Sequence, residues 1–355
     1  MHFRDFVTLI ISILSLLLSA CTTLPENTQS FYWPKPPAQP RLIYELTLRN
    51  QSSLNPEHVE DRMREFATGQ TNKTDQILLK PYDIAAHGGL VAVSDSLLST
   101  VHIFDVPRKK LFQIGWRGDG KLRKPLGLAV DTSQNIYVTD AVLGYVVKFD
   151  SRGHYLGTIG QKKDFSRISD VAVDNISGRI YVLDRGGVES QQHQIVVYSA
   201  NGERIKVIGK RGHSDGEFNH PNQLAVNHLG ELYVLDAGNF RVQVFDNQGK
   251  HLRSWGRLGN QLGNLARPRG IALDGQARVY ITDAAYQNFQ IFNSQGQLLL
   301  NVGAGGGQDS PGSYMLPAGI AADETGRIYV VDQVRRKIEI FRLLDIVKEN
   351  VSQVN

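Results

Sequence analysis

The chain of 355 residues has one cysteine and three methionines. A single cysteine excludes an intrachain disulfide, a redox pair and a cysteine-based metal cluster. Charge of one sign is also lacking. The 39 Lys and Arg residues stand against 35 Asp and Glu, a net charge of +4 that is far from a nucleic-acid-binding arm. There is no Gly-x-Ser-x-Gly elbow and no phosphate-binding loop. The run Gly303-Ala304-Gly305-Gly306-Gly307 opens no helix and reads as a flexible loop. At 41% hydrophobic and 21% charged residues the chain is neither disordered nor collagen-like. What it has in quantity is glycine, 34 residues, with 13 Tyr and 14 Phe. That balance favours short strands and tight turns over helices.

The first twenty residues stand apart. Arg4 supplies positive charge, Phe6 to Leu18 is apolar apart from small polar residues, and Leu18-Ser19-Ala20 precedes Cys21. The apolar stretch is shorter than the roughly 20 residues a membrane span needs, so residues 1–20 read as a secretory signal. The segment resembles the bacterial lipobox, which implies a lipidated, palmitate-bearing Cys21 as the first residue of the mature chain. Thr22 stands where an Asp would resemble an inner-membrane retention signal, so the expected address is the cell envelope, at the outer membrane. Residues 21–40 then read as the lipidated cysteine and a proline-rich tether, with four prolines from Pro34 to Pro40. Phe31, Tyr32 and Trp33 suit either a membrane interface or packing on the folded body.

From residue 41 an internal period takes over. Val93-Ser94-Asp95 recurs as Val138-Thr139-Asp140, Val182-Leu183-Asp184, Val234-Leu235-Asp236, Ile281-Thr282-Asp283 and Val330-Val331-Asp332. The Asp spacings are 45, 44, 52, 47 and 49 residues, a period of propellers and arrays. Each copy holds four short strands. In the second copy they are Pro125 to Asp131, Asn135 to Asp140, Val146 to Asp150 and His154 to Gly160. One such sheet cannot bury both its faces, whereas radial stacking buries the flat sides and leaves short edges. The expected fold is all-β: a six-bladed β-propeller of four-stranded antiparallel blades over residues 41–343.

Pro221-Asn222-Gln223-Leu224-Ala225-Val226, then Leu232-Tyr233-Val234-Leu235-Asp236 and Arg241-Val242-Gln243-Val244-Phe245-Asp246, make the fullest copy. This pattern resembles the NHL repeats, a family of six-bladed propellers, and the WD and kelch signatures are absent. The last copy lacks a fourth strand, and Arg41 to Leu48 is an orphan strand near the N-terminus. That strand is expected to complete the last blade and latch the ring, which abolishes an open edge. Residues 49–79 interrupt the pattern. Asn55 and Pro56 suit a helix start, and Val59, Met63 and Phe66 share one helical face. A short helix packed on the propeller is expected there, with a lid as the alternative. Residues 344–355 form a C-terminal tail.

Aligning the copies places Lys80, Lys124, Arg167, His220, Arg267 and Leu316 at the mouth of the channel. Two positions on stand Tyr82, Leu126, Ser169, Asn222, Arg269 and Ala318, then Asp83, Gly127, Asp170, Gln223, Gly270 and Gly319. Lys80, Lys124, Arg167, His220, Arg267 and Arg269 therefore form a candidate basic mouth, supplemented by loop cations such as Arg117, Lys121 and Lys162. A mouth of one charge sign focuses its field on an anionic ligand. NHL domains of some cytoplasmic proteins bind RNA on such a face, but a secreted chain calls for an anionic glycan, a lipid headgroup or an acidic envelope protein, and no nucleic acid. Asp83, Asp170 and Asn222 are candidate metal ligands, because six-bladed lactonases hold calcium in the channel with such oxygens. No fourth acidic ligand aligns with them, and no cofactor is expected beyond that calcium. The amidating lyases of similar fold use a histidine-held zinc, but only His220 falls at a channel position. The six recurring Asp residues read as turn-fixing carboxylates. The leading expectation is a membrane-anchored envelope binding or scaffolding propeller. A channel-centred, calcium-dependent hydrolase or lyase is the alternative, and catalytic residues are not identified.

Overall fold

The computed structural model describes residues 31–55 and 77–344, and the blades lie in one compact unit, Tyr32–Asn355. The signal segment with Cys21, the expected helix with Val59, Met63 and Phe66, and the tail beyond residue 344 lie outside the described residues. Six antiparallel sheets are arranged as blades. Blade one is Pro81–His87, Leu90–Asp95, Thr100–Asp105 and Lys110–Ile114. Blades two to five repeat this order, opening with Pro125–Val130, Ile168–Val173, Gln223–Val226 and Pro268–Leu273.

Blade six takes Pro317–Ala322, Arg327–Asp332 and Lys337–Leu343 from the end of the chain, and its fourth strand, Leu42–Leu48, from the beginning. Leu42 pairs with Leu343 and Leu48 with Ile338. The Glu45 carboxylate ties this strand to Arg327 at 2.6 Å and Arg342 at 2.8 Å. One element was not foreseen. Tyr32–Trp33 adds a fifth strand outside Leu42–Leu48. The prolines between them therefore loop back onto the blade instead of extending as a spacer. Trp33 sits edge-on to Phe341 with centroids 5.3 Å apart, so it packs on the folded body. Ser52–Leu54 forms a single 3-10 turn whose Ser53 N–H donates to the Asn50 side chain, and it buries Leu54 between blades six and one.

Alternation along each strand sends side chains to both flat faces, and six apolar clusters fill the six gaps between neighbouring blades. The second-strand tyrosines Tyr137, Tyr181, Tyr233, Tyr280 and Tyr329 are all buried in them. Tyr137, Tyr280 and Tyr329 each donate a hydroxyl hydrogen to the acid just after the preceding strand, Asp131, Asp274 and Asp323. Each fully buried large apolar side chain contributes about 1.5–3 kcal/mol, so ring closure spreads stability over every blade.

The Asp that ends each second strand fixes the architecture. Asp140 accepts the amide hydrogens of Arg123 and Lys124, just ahead of the first strand, and of Val142 and Leu143 in the following turn. Asp95 and Asp332 repeat all four bonds. Recurrence in every blade is thus structural. The turn after each second strand, and the link into the next blade, come to lie on the same face of the disc, where the first strands begin.

Candidate functional site

The first strand of each blade has one edge paired with the second strand and the other edge free toward the axis. Free N–H groups there need partners. Asp83 reaches across from blade one to accept from the Leu128 N–H of blade two at 2.9 Å. Asp170 does the same for Leu224 at 2.7 Å, and Gln223 for Ile271 at 2.7 Å. The Gln223 amide also donates to Asp83 at 2.5 Å. The other three blades have Gly127, Gly270 and Gly319 at this level. A β-carbon on them would collide with Asp170, with Ala318 and with Asp83, respectively. Three reaching side chains and three glycines therefore form a floor across the channel. Burial pushes the pKa values of both Asp83 and Asp170 upward, and the charge of Asp83 raises Asp170 further.

Above this floor the channel opens into a funnel of about 640 Å³. Lys80, Lys124, Arg167, His220, Arg267 and Arg269 all line it, so the structure brings the six sequence-derived basic residues onto one cavity. Arg185 joins them and was missed. It follows Asp184 directly, and its amide bonds to the Arg167 carbonyl at 3.0 Å, which carries its side chain to the mouth. The same step after the other five Asp residues gives Ser96, Ala141, Ala237, Ala284 and Gln333, so extending the repeat alignment by one position would have found it. No Asp or Glu lines the funnel, and none of its seven basic side chains makes an ion pair among the described residues.

The electrostatics follow from that imbalance. Burial lowers the pKa of Arg185, and the neighbouring charges of Arg167 and Arg269 push it the same way. Its Nε is buried without a hydrogen-bond partner, and so is Ser169 Oγ below it. Tyr82 is held in its neutral form by burial, and the Arg269 guanidinium lies 5.9 Å from its ring centre. Partial burial and the charges of His193, Arg185, Arg211 and Arg167 lower the pKa of His220. His220 has a left-handed backbone, φ +46°, and its N–H donates to Nδ1 of the buried His193 at 3.1 Å. The two imidazoles contact each other at a tilt of 46° with centroids 4.7 Å apart. This pairing has no signal in the repeat pattern, because His193 lies in an irregular turn of blade three.

Asp83, Asp170 and Asn222 share a small cavity of about 10 Å³ at the floor, together with Tyr82, Ser169 and Arg269. Calcium takes six to eight oxygen ligands. Asp83 accepts bonds on both oxygens, Asp170 has only Oδ1 unengaged, and Asn222 donates its amide to the Arg269 carbonyl. The space is about that of one water, and a guanidinium borders it. These residues, as placed, do not make a calcium set. Among the described residues no three His, Cys, Asp or Glu side chains cluster to hold a metal. Below the floor a second opening of about 440 Å³ is ringed by Asp174, Asn227, Asp274 and Asp323, which are engaged by their own turns.

Six radial sheets closed by an N-terminal strand define a six-bladed β-propeller. More particularly, residues 218–245, which run into blade four and through its third strand, match the NHL repeat. Mouse peptidyl-glycine alpha-amidating monooxygenase is 30% identical over 158 residues, 41% of this chain and 16% of that protein. Protein brain tumor of Drosophila melanogaster is 28% identical over 128 residues, 35% of this chain and 12% of that one. The chain spans about a sixth or less of the length of these relatives. Among solved structures, a gluconolactonase from Xanthomonas campestris superposes with a TM-score of 0.55 at 15% identity, covering 75% of this chain and 87% of that one. A streptogramin B lyase gives 0.55 at 13% identity, covering 75% and 94%. At these identities the likeness is one of fold.

Proposed function

We propose that this protein is a cell-envelope binding propeller, anchored by lipid on Cys21, whose basic funnel captures an anionic group of a partner protein or anionic glycan. The observation that carries the reading is the funnel itself: seven basic side chains on one cavity, no acidic lining residue and no ion pair among the described residues. The lysines and arginines among them are uncompensated cations that repel one another, and an anion relieves that repulsion. The rigid ring supplies the scaffold, and the loops of one face supply the contact surface. The outer membrane is the proposed location, and nucleic acid is not a proposed partner.

The enzyme alternative is a channel-centred hydrolase or lyase, as the gluconolactonase and the streptogramin B lyase of similar fold suggest. It has less support, because the floor carboxylates are spent on backbone amides and on Gln223.

The test measures binding of labelled polyglutamate and polygalacturonate to residues 32–355 at low and high salt. Salt-sensitive binding of either polyanion, with none of an uncharged dextran, is expected. Equal binding of dextran, or no polyanion binding at low salt, overturns the reading. Labelling of the whole chain with palmitate, lost in Cys21→Ala, tests the anchor.

A further inference from the structure

We propose that the face around the basic funnel docks on an anionic phospholipid bilayer, with headgroup phosphates in the funnel and aliphatic turn tips in the interface. This rests on the anion-binding reading above and goes beyond it by giving the same funnel a lipid surface as a further anionic partner. The turns after the second strands, and the links between blades, form this face. They expose Leu97, Trp116, Val142, Val188, Met315 and Val334, with Val188 at 70% and Leu97 at 64%. Leu258 and Leu262, in the link into blade five, add to them. The turns of the opposite face expose only Ile176 and Leu229 as large hydrophobics among the described residues. Scattered apolar side chains need no explanation, but a bias to one face does.

Among the described residues the tips are distributed around the funnel. They stand on blades one, two, three and six, and in the links into blades two, five and six. A peptide would touch one side of such a ring, whereas a planar partner touches all of it. A soluble acidic polymer would engage the cations and leave the aliphatic tips in water. A bilayer satisfies both, because apolar burial and attraction to anionic lipid add. Trp116 fits the same surface. It is 49% exposed, and the Arg117 guanidinium lies 4.1 Å from its ring centre. That pair presents a ring to the headgroup boundary and a cation to phosphate. Deeper in, Arg185 Nε and Ser169 Oγ lack partners and offer donors to phosphate oxygens.

The experiment floats residues 32–355 on phosphatidylcholine vesicles with and without phosphatidylglycerol, and follows tryptophan emission. Trp33 is packed on Phe341 and Trp255 on Phe292, so Trp116 is the reporter, with Trp116→Phe as control. The expected result is flotation and a blue shift with phosphatidylglycerol only. Triple substitution Leu97→Ser, Val142→Ser and Val188→Ser is expected to weaken vesicle binding by about tenfold while polyglutamate binding persists. Arg185→Ala with Arg269→Ala weakens both, and Ile176→Ser with Leu229→Ser, on the other face, changes neither. Circular dichroism confirms folding of each variant. Polyglutamate binding without vesicle binding overturns the bilayer inference and leaves the anion-binding reading standing. Vesicle binding unaffected by the rim substitutions also overturns the inference. Loss of binding to both probes overturns the anion-binding reading itself.

Discussion

Asp170 of blade three fills the space that Gly127 of blade two leaves open: a β-carbon on Gly127 would collide with the Asp170 carboxylate and with its Cα. The same carboxylate, through its other oxygen, accepts from the Leu224 amide of blade four. One side chain thus links three consecutive blades at the channel floor.

Gly127→Ala is therefore expected to destabilise the ring by about 1–3 kcal/mol, because the obstacle includes backbone as well as the carboxylate. Gly275→Ala is the control, with nothing within 4 Å of its added carbon. Urea denaturation of the two variants measures the difference. Equal midpoints would remove the floor from the stability of the ring.

The buried carboxylates set a pH dependence. Burial raises Asp83 from the ordinary 3.8 to about 7, and Asp170 is raised by burial and by the Asp83 charge. The Asp83 contribution to stability is full below the unfolded value near 3.8 and is lost as pH rises through about 7, and that of Asp170 is lost in the same direction as pH rises. Asp170→Asn keeps an oxygen for the Leu224 amide and stays neutral at all pH values. Its stability relative to the parent is expected to improve by about 1 kcal/mol or more between about pH 4.5 and about pH 8. Taking the difference cancels the lowered carboxylates Asp150, Glu217, Glu231 and Asp309, which act in the opposite direction. A difference independent of pH would contradict the shift.

Removing the latch tests closure. Leu42 is fully buried between blades five and six, and Leu48 between blades six and one. Leu42→Ala is expected to cost about 2–5 kcal/mol. Deleting residues 42–48 exposes the third strand of blade six as an open edge and lowers the melting temperature of the whole ring. An unchanged melt of the deletion variant would show that the ring closes without this strand.

Calcium gives a sharp negative expectation. With both Asp83 oxygens engaged and Arg269 beside a cavity of about 10 Å³, calcium or EDTA is expected to leave the melting temperature of residues 32–355 unchanged. A rise with calcium that disappears in Asp170→Ala would restore the hydrolase or lyase reading.

The blade architecture was legible because its determinants recur. Asp95, Asp140, Asp184, Asp236, Asp283 and Asp332 mark the same step in each blade, and the missing fourth strand of blade six pointed to the latch. The basic mouth was legible for the same reason, since Lys80, Lys124, Arg167, His220 and Arg267 share one repeat position. What breaks the period was not. The added strand Tyr32–Trp33 depends on the packing of Trp33 on Phe341 and its neighbours and on a proline loop that by composition alone reads as extended. The ring contact of His193 with His220 comes from an irregular turn. The role of Asp83 and Asp170 as bridges to the next blade depends on the free edge of the neighbouring first strand, which no spacing within one repeat displays.

Asp140→Ala examines that recurring carboxylate directly. Four backbone amides lose their acceptor, and a loss of about 3 kcal/mol or more is expected in urea denaturation. A loss below about 1 kcal/mol would show that water replaces the carboxylate.

The most direct single measurement is a calorimetric titration of polyglutamate into residues 32–355 and into the Arg185→Ala, Arg269→Ala variant, each at low and high salt. The predicted result is binding by the parent that weakens steeply with salt and falls about tenfold or more in the variant. Equal affinity of parent and variant would place the anion elsewhere on the surface and contradict the funnel as the binding site.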